Sequence, residues 1–509
     1  MSREEGRRGG RQARRKLRTA TPVVCMPTLV PEIPLYEILD GEGIELIHNA
    51  SMDILENPGI DFRDDEAVAL WKAAGVDVDG YRVRIDRDML LDLVSKTPSS
   101  YTMNARNPKR SVKVGGRNTI FVPTYGSPYV RDLSDNRRYS TLEDLHNFHK
   151  LAYLTPSLHM TGGITCEPTD VAVSKRHLRI AYSLLKHSDK PFMGATTARE
   201  RAEDTVEMAK IVFGEDYLRD HTVMTSVINC NSPLVWDATM LDALKVYARN
   251  NQAVLCSPFV LAGASTPAST LGAVAQLNAE ALAGIAFGQL VQPGSPMVYG
   301  QFLATVSMKS GAPMAGTPEI AQMNFIIGQL ARKYNLPWRS SGMVAGSKVV
   351  DAQAAYESNM TMFAVVLSGA NYVFHAAGWN EAGLCASYAK FVLDAEQVAM
   401  FYKFAQGVSF DDFDEAIAAV REVGPGGHYL GTTHTQEHFE TAFFMPELLD
   451  NNNYEQWVID GATDANTRGL NTARAMLERY EEPQLDIAVD EGLRDFIAKR
   501  EAVLPDEVS

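Results

Sequence analysis

Cysteine is scarce in this chain, with five residues among 509. The five are odd in number, widely spaced and without a CxxC pair, which excludes a disulfide framework and indicates a reducing compartment. No run reads as a membrane span, and no apolar segment follows the basic N-terminus as it does in a secretory signal. We therefore expect a cytoplasmic protein without a membrane partner.

Basic residues are also fewer than acidic ones, with 48 Lys and Arg against 63 Asp and Glu. The formal net charge is −15 and the isoelectric point is about 5.3, whereas proteins built around nucleic-acid binding usually show the opposite balance. The exception is residues 1–18, in which eight Arg or Lys face two Glu and the net charge is +6. We interpret this stretch as a basic disordered arm; docking on an acidic partner or a neighbouring subunit is the alternative.

From residue 119 onward, short β-rich runs alternate with helical stretches. Runs this apolar are typical of strands buried on both faces of a parallel sheet, and their alternation with helices indicates βαβ units. Eight such units predict an α/β fold of the (β/α)8 TIM barrel type, with a doubly wound open sheet as the alternative. No GxGxxG or GxxxxGK[ST] follows a strand, so a nucleotide site has no support. The runs are Thr119–Thr124, Leu158–Ile164, Pro191–Thr196, Thr222–Asn229, Ala253–Val260, Pro296–Phe302, Pro337–Gly342 and Tyr372–Ala377.

The sequence divides into five segments around the predicted barrel. An N-terminal α/β cap, with helices at about Leu35–Glu56 and Asp65–Ala74, precedes the barrel, and a helical C-terminal extension follows it. The segments are 1–18 for the basic arm, 19–118 for the cap, 119–380 for the barrel, 381–480 for the extension and 481–509 for an acidic tail.

Capping motifs predict where several helices begin. Ser140–Glu143 and Thr197–Glu200 match the capping box. Thr266 and Thr317 each place a capping hydroxyl before a proline that would occupy the first helical position. Asp351 is a further candidate N-cap.

Active sites of this fold lie at the carboxyl ends of the strands. These ends are small, neutral-polar and aromatic here, without the paired carboxylates of glycosidases and without a GxSxG elbow. Aromatic side chains around one mouth can form a cage for a quaternary ammonium at about 0.5–2 kcal/mol per contact, although core packing is the alternative. The substrate-binding candidates, chosen by strand-end position, are Tyr125, Glu167, Asn229, Tyr299, Gln301, His375 and Trp379.

Two further segments carry candidate groups. Lys348, on the loop after the Pro337–Gly342 run, can attract a substrate carboxylate as a point charge. His434 and His438 share a helix face, and His428 lies nearby, but no third ligand type stands at a diagnostic spacing for zinc. We therefore expect no metal site and interpret these histidines as solvated or hydrogen-bonding, or as part of a loop that closes over a partner.

Seven stretches spread over nearly the whole chain carry a family resemblance. They are GRRGGRQARR near the N-terminus, Thr161–Pro168, Ile228–Leu234, Ser257–Pro267, Gly346–Glu357, Ser368–Gly378 and Gly424–Phe439. Together they resemble the trimethylamine methyltransferase family, the corrinoid-dependent amine and betaine methyltransferases. The resemblance implies a TIM barrel and transfer of a methyl group from an amine to the Co(I) corrinoid of a separate small protein. It also implies that no cofactor binds tightly to this chain.

The resemblance further separates two subgroups. Some family members carry pyrrolysine and use trimethylamine, whereas this chain has only standard residues. It is thus similar to the subgroup whose members demethylate quaternary amines such as glycine betaine. A quaternary nitrogen leaves as a neutral amine, so transfer needs positioning and desolvation rather than a general acid.

We accordingly predict a quaternary-amine methyltransferase of the EC 2.1.1 class that acts with a small corrinoid protein and forms a homo-oligomer. One alternative is a non-catalytic barrel that binds quaternary ammonium compounds. Another is a lyase or aldolase that uses Lys348 as a Schiff base.

Overall fold

The computed structural model describes residues 24–506, so the basic arm predicted for residues 1–18 lies outside the described residues. Within that range the strands and helices follow one another along the whole chain. The strands are β1 (Ile60–Arg63), β2 (Asp77–Asp79), β3 (Arg82–Arg84), β4 (Ser100–Met103), β5 (Val112–Gly115), β6 (Ile120–Phe121), β7 (Tyr129–Arg131), β8 (Arg137–Tyr139), β9 (Phe192–Met193), β10 (Met224–Ile228), β11 (Val235–Asp237), β12 (Ala253–Cys256), β13 (Phe259–Ala262), β14 (Met297–Gly300), β15 (Phe302–Val306), β16 (Pro313–Met314), β17 (Trp338–Ser341), β18 (Tyr372–Phe374), β19 (Trp379–Asn380) and β20 (Cys385–Ser387).

The helices alternate with these strands in the middle of the chain and follow them at the end. Two short 3-10 helices, Pro108–Arg110 and Glu381–Gly383, complete the set. The α-helices are α1 (Gly41–Glu56), α2 (Asp65–Ala73), α3 (Arg87–Ser95), α4 (Leu142–Leu154), α5 (Arg176–His187), α6 (Arg199–Phe213), α7 (Glu215–Asp220), α8 (Ala238–Arg249), α9 (Thr270–Val291), α10 (Pro318–Lys333), α11 (Ala352–Leu367), α12 (Tyr388–Ala405), α13 (Phe413–Val423), α14 (Thr433–His438), α15 (Tyr454–Ile459), α16 (Ala465–Glu478) and α17 (Ile487–Glu501).

A parallel sheet of seven strands, in the order β6-β18-β17-β14-β12-β10-β9, forms the centre of the molecule. Every neighbouring pair in it is parallel. Seven of the eight predicted runs contain one of its strands, because strands covered by helices are short and apolar on both faces. The smaller sheets are β11-β1-β3-β2, β13-β15-β16, β19-β20-β7-β8 and the hairpin β4-β5.

The eighth predicted run, Leu158–Ile164, is too irregular to count as a strand, yet it bonds to both edges of the sheet. The His159 amide donates to the Phe121 carbonyl of β6 at 2.9 Å. On the other side, the Met193 amide of β9 donates to the Gly162 carbonyl at 2.8 Å. Gly162 has a φ of +91°, which interrupts regular extended backbone at this point.

The two faces of the sheet pack differently. One face meets the surrounding helices, while the other forms a separate apolar cluster that includes Val227, Leu255 and Val298. The β4-β5 hairpin contributes to this second cluster, and the Asn104 amide beyond it donates to the Thr222 carbonyl just before β10. The hairpin therefore covers the amino end of the strands and leaves the carboxyl end for a site.

Helix α9 is the most apolar element of the helical layer. By length and composition it could cross a membrane, and 89% of its most apolar window is buried inside the protein. It packs against α1 and α3, so its composition is that of a core helix.

Several predicted helix starts were wrong. α1 begins at Gly41, not near Leu35, because Asp40 provides the cap by accepting the Gly43 amide. α4 is capped by Thr141, with Asp144 completing the box, while the Ser140 hydroxyl bonds to the Pro128 carbonyl instead. The structure also lacks the two other predicted caps: Ala198 rather than Thr197 precedes α6, and Ser269 rather than Thr266 caps α9.

Two other predicted starts are confirmed. Thr317 precedes α10 with Pro318 in the first turn, but the predicted cap is only partly present, because the Thr317 hydroxyl makes no capping hydrogen bond. Asp351 caps α11 by accepting the Ala354 amide at 2.9 Å.

Two predicted strands also proved to be split. β12 and β14 end at Cys256 and Gly300, and the chain then continues as β13 and β15. These continuations pair with each other and with β16, forming a small sheet beyond the carboxyl end of the central one. That small sheet supplies one wall of the candidate site.

Candidate active site

Four aromatic side chains meet at the carboxyl end of the central sheet. The ring centroids of Phe302 and Trp379 lie 5.6 Å apart, and those of His375 and Trp379 lie 4.2 Å apart. The rings of Phe259 and Phe302 stack at 4.9 Å across β13 and β15. We call Phe259, Phe302, His375 and Trp379 the aromatic cluster.

A pocket opens beside the aromatic cluster between the small sheet, α10 and the segment after β18. The pocket is small, with a volume of about 30 Å³. Among the described residues that line it, none is acidic or basic. The polar lining side chains are Gln301, Asn324, Ser341 and Thr361.

Gln301 and Trp379, which line the pocket, each carry a buried polar atom that has no hydrogen-bond partner among the described residues. The Gln301 Nε2 donates to Asn324 Oδ1 and to Ser340 Oγ, both at 2.7 Å, which fixes the amide. Its Oε1 and the Trp379 Nε1 are buried without a hydrogen-bond partner among residues 24–506. Buried polar atoms are nearly always paired, so this acceptor and this donor mark places for a ligand or ordered water.

Arg339, on β17, is the group that the sequence analysis missed. Its side chain is 1% exposed and lies 4.9 Å from the Phe374 ring, on the inner face of the sheet. Its guanidinium donates to the Gln301 carbonyl, and Nη2 lies 3.4 Å from His375 Nδ1. Within the part of the chain that the structure describes, no carboxylate pairs with Arg339, and its Nε has no partner.

Burial controls the charge of both central groups. It lowers the pKa of Arg339 to about 9, which leaves the guanidinium charged at neutral pH. Burial and the Arg339 charge together hold the pKa of His375 well below its usual value, so this imidazole is neutral. Ser341 Oγ lies 3.0 Å from His375 Nδ1, and the His375 backbone has a φ of +53°, which is uncommon for a residue with a side chain.

The structure thus brings together three predicted residues, Gln301, His375 and Trp379. Tyr125 lies next to them, with its ring 5.4 Å from Phe374, which in turn stacks on His375 at 4.3 Å. Asn229 is half-buried and follows β10.

The other three candidates, Tyr299, Lys348 and Glu167, lie away from the aromatic cluster. The Tyr299 hydroxyl donates to Asn278 Oδ1 on α9 at 2.7 Å, which places the ring in the helical layer. Lys348 is exposed and its Nζ donates to the carbonyl of Gly346 at 2.8 Å, so it lacks the apolar setting that a Schiff-base lysine needs.

Glu167 lines a separate cavity of about 200 Å³ between the sheet and helices α5 and α6. Burial raises the pKa of its carboxyl group, which is only partly offset by Arg176 at 3.9 Å and by Arg201. It does not reach the pocket of the aromatic cluster.

Comparisons with known proteins all point to one family of methyltransferases. The family model described as trimethylamine methyltransferase (MTTB) matches residues 7–505. A glycine betaine methyltransferase of Desulfitobacterium hafniense (strain Y51) is 40% identical over 469 residues, which cover 92% of this chain and 98% of that protein. A proline betaine:corrinoid methyltransferase of Eubacterium limosum is 28% identical over 473 residues, covering 90% and 96%.

The fold has a counterpart among solved structures. The monomethylamine methyltransferase MtmB of Methanosarcina barkeri superposes with a TM-score of 0.52 at 10% identity, over 88% of this chain and 90% of that one. At this identity the likeness concerns the mixed α/β fold alone. With a family model that spans nearly the whole sequence and a relative at 40% identity, the chain belongs to the trimethylamine methyltransferase family.

Proposed function

We propose that this chain transfers a methyl group from a betaine, a quaternary amine with a carboxylate, to the Co(I) corrinoid of a separate protein. Family membership supports methyl transfer, and the named activities of two relatives are directed at glycine betaine and proline betaine. The observation that carries the proposal is the placement of Arg339, a buried guanidinium with no carboxylate partner among residues 24–506, beside the aromatic cluster. The aromatic cluster matches the quaternary ammonium of a betaine, and the Arg339 guanidinium matches its carboxylate.

The aromatic cluster holds the quaternary nitrogen. Phe302 and Trp379 offer ring faces, and each cation–π contact contributes about 0.5–2 kcal/mol. His375 is neutral, so it does not repel the cation. The small sheet forms one wall of the pocket and shields the methyl group from water.

Arg339 holds the carboxylate. An isolated buried charge costs several kcal/mol of desolvation, and removal of one partner from a buried pair costs about 3–5 kcal/mol. The guanidinium therefore gains its counter-charge when the donor binds, through Nε, which has no partner, and through Nη2. Lys348, the sequence-based candidate for this role, is exposed outside the pocket.

The reaction needs no proton donor from this chain. As the carbon–nitrogen bond breaks, its electron pair stays on nitrogen and a neutral tertiary amine leaves. The described pocket lining contains no acid, in agreement with that chemistry. The corrinoid supplies the nucleophile that accepts the methyl group, and this chain contributes orientation and a dry site. We propose that the corrinoid arrives bound to a small partner protein.

We further propose that the central sheet closes into an eight-stranded TIM barrel. The hydrogen bonds of Leu158–Ile164 to β6 and β9 support closure at the one gap in the sheet. On this view residues 119–380 are the barrel, residues 19–118 its N-terminal cap and residues 381–480 its helical extension, with 481–509 as a peripheral tail.

The molecule is proposed to be a cytoplasmic homo-oligomer. All five cysteines are free, as in a reducing compartment. Residues 408–460, which we call the outer segment, expose seven aromatic side chains. At about 150–250 Å² per aromatic side chain, these partly exposed rings offer roughly 800 Å² of surface, one partner's share of a standard interface. The seven are Phe410, Phe413, Tyr429, Phe439, Phe443, Phe444 and Tyr454.

A second copy fits the outer segment better than the corrinoid protein does. Permanent interfaces are more apolar than transient ones, and a corrinoid carrier has to leave after each turnover. Light scattering of the purified chain should give an oligomer, which the paired substitution Phe439→Ser and Phe443→Ser should reduce to a monomer. A monomeric wild-type protein would contradict this.

The activity is tested by mixing the purified chain with Co(I) corrinoid protein and a panel of betaines while the corrinoid absorbance is followed. We expect a spectral change with at least one betaine, and a slower change in Trp379→Ala at low betaine concentration. Tyr299→Phe is the matched aromatic control and should keep the activity. Tight betaine binding without a spectral change would favour the non-catalytic barrel instead.

A further inference from the structure

A cluster of potential metal ligands lies in the outer segment, far along the chain from the aromatic cluster. His434 Nε2 is 3.2 Å from Asp412 Oδ2, and His438 Nε2 is 4.0 Å from Glu415 Oε2. One ligand atom from each of Asp412, His434 and His438 lies within 4.8 Å of the other two. All three side chains are partly exposed, so an ion can reach them from solvent.

Local structure explains why these groups converge. His434 and His438 are four residues apart on α14 and therefore project from the same face, with their ring centroids 4.6 Å apart. Asp412 immediately precedes α13, and Glu415 lies in its first turn. The ligands thus come from two helices joined by a glycine-rich loop, which is why their spacing in the sequence is not diagnostic.

The outer segment also lacks the core that would hold its helices together. Of its side chains only a few are buried, among them Ala419, Thr432 and Leu448. The ion pairs of His434 with Asp412 and of His438 with Glu415 link α13 to α14. Small elements without a core commonly depend on a metal or another cross-link, and metal binding then contributes directly to folding.

We propose that His434, His438 and Asp412 bind a divalent transition-metal ion, with Glu415 as the fourth ligand. Two imidazoles and carboxylate oxygens suit Zn²⁺, whereas Mg²⁺ and Ca²⁺ prefer sites made of oxygen alone. In a tetrahedral site, ligand bonds of about 2.0–2.2 Å place neighbouring ligand atoms about 3.3–3.6 Å apart. The 3.2 Å between His434 Nε2 and Asp412 Oδ2 is near that value. The ion joins α13 to α14 and has no part in methyl transfer.

The test measures Zn²⁺ binding by the full-length, tag-free chain after treatment with a chelator. In competition with a chromophoric chelator, the wild type should take up one Zn²⁺ per chain, and the double variant His434→Ala, His438→Ala should take up none. Mutation of a residue that only hydrogen-bonds to a metal ligand typically lowers metal affinity about 10–100-fold. Replacement of a ligand itself, in Asp412→Asn, should therefore weaken Zn²⁺ binding at least tenfold. His428→Ala is the matched control, because this histidine lies in the same segment but outside the cluster.

Proteolysis gives a second readout that does not depend on activity. Arg421, in the last turn of α13, is the one Lys or Arg in the outer segment, so tryptic cleavage there reports on the state of that helix. Zn²⁺ should slow cleavage at Arg421 in the wild type and in His428→Ala, but not in the double variant. Equal Zn²⁺ uptake by the wild type and the double variant, or cleavage that Zn²⁺ does not change, would overturn the proposal.

Discussion

Replacement of Arg339 by methionine separates recognition of the carboxylate from recognition of the cation. Methionine keeps an apolar chain of similar length in a site where the arginine is 1% exposed, but removes the charge and the bond to the Gln301 carbonyl. Loss of one partner of a buried charge pair costs about 2–5 kcal/mol. At 1.4 kcal/mol per tenfold, Arg339→Met should lower kcat/KM for a betaine by about 30- to 4,000-fold.

The assay compares a betaine with a quaternary amine of similar size that has no carboxylate. For tetramethylammonium we expect Arg339→Met to leave kcat/KM unchanged or to raise it, because the variant no longer buries an unpaired positive charge beside the cation. Lys348→Met is the matched control and should change kcat/KM for neither substrate. Thermal unfolding should show Arg339→Met to be as stable as the wild type or more stable, since apolar replacement of a buried charge is often neutral or favourable.

An equal loss of kcat/KM for both substrates in a folded Arg339→Met variant would refute this reasoning. It would mean that the guanidinium shapes the pocket rather than selecting the carboxylate. A loss in Lys348→Met confined to the betaine would assign the carboxylate to the exposed lysine instead.

Three further results are expected from the same site. Trp379→Ala should raise KM for quaternary amines about 2- to 30-fold, the equivalent of one lost cation–π contact of about 0.5–2 kcal/mol, measured by initial rates. Because burial lowers the pKa of Arg339 to about 9, the guanidinium loses its proton as the pH rises through 9, so betaine KM should increase above that pH in the wild type and not in Arg339→Met. Tyr299→Phe leaves Asn278 Oδ1 unpaired in the helical layer, which should cost about 1–3 kcal/mol of stability in denaturant unfolding without changing kcat.

The alternation of β-rich runs with helices predicted eight strands, and seven of those runs each contain a strand of the central sheet. It succeeded because parallel strands buried on both faces are apolar throughout, a property that composition reveals. The run Leu158–Ile164 shows the limit. Gly162, with its φ of +91°, disrupts regular strand geometry, although amides and carbonyls still link the run to both neighbouring strands.

Strand-end position was a weaker guide to individual side chains. Adjacent residues in a strand face opposite sides, so Val298 joins the inner cluster while Tyr299 packs in the helical layer. The sequence does not show which of the alternating residues in a strand point to the inner face of the sheet. Tyr299 was therefore selected together with residues that do meet at the pocket.

Arg339 was overlooked although the sequence contained a signal for it. Arginine is almost never fully buried unless it is paired, and one placed inside a predicted buried strand is unusual. What makes the residue informative is that no carboxylate in the described part of the chain pairs with it, and this is visible only from its surroundings in the structure. The same holds for Asp412, which approaches His434 through folding and not through proximity in the sequence.

The central claim is tested most directly by quantifying the demethylated product from glycine betaine labelled with ¹³C in its methyl groups. The purified chain is supplied with a known amount of Co(I) corrinoid protein, and NMR measures both dimethylglycine and the labelled methyl on the corrinoid. The account predicts equal amounts of the two, formed more slowly in Trp379→Ala at low substrate. Unchanged glycine betaine and related betaines, with an active Co(I) corrinoid protein present, would contradict it.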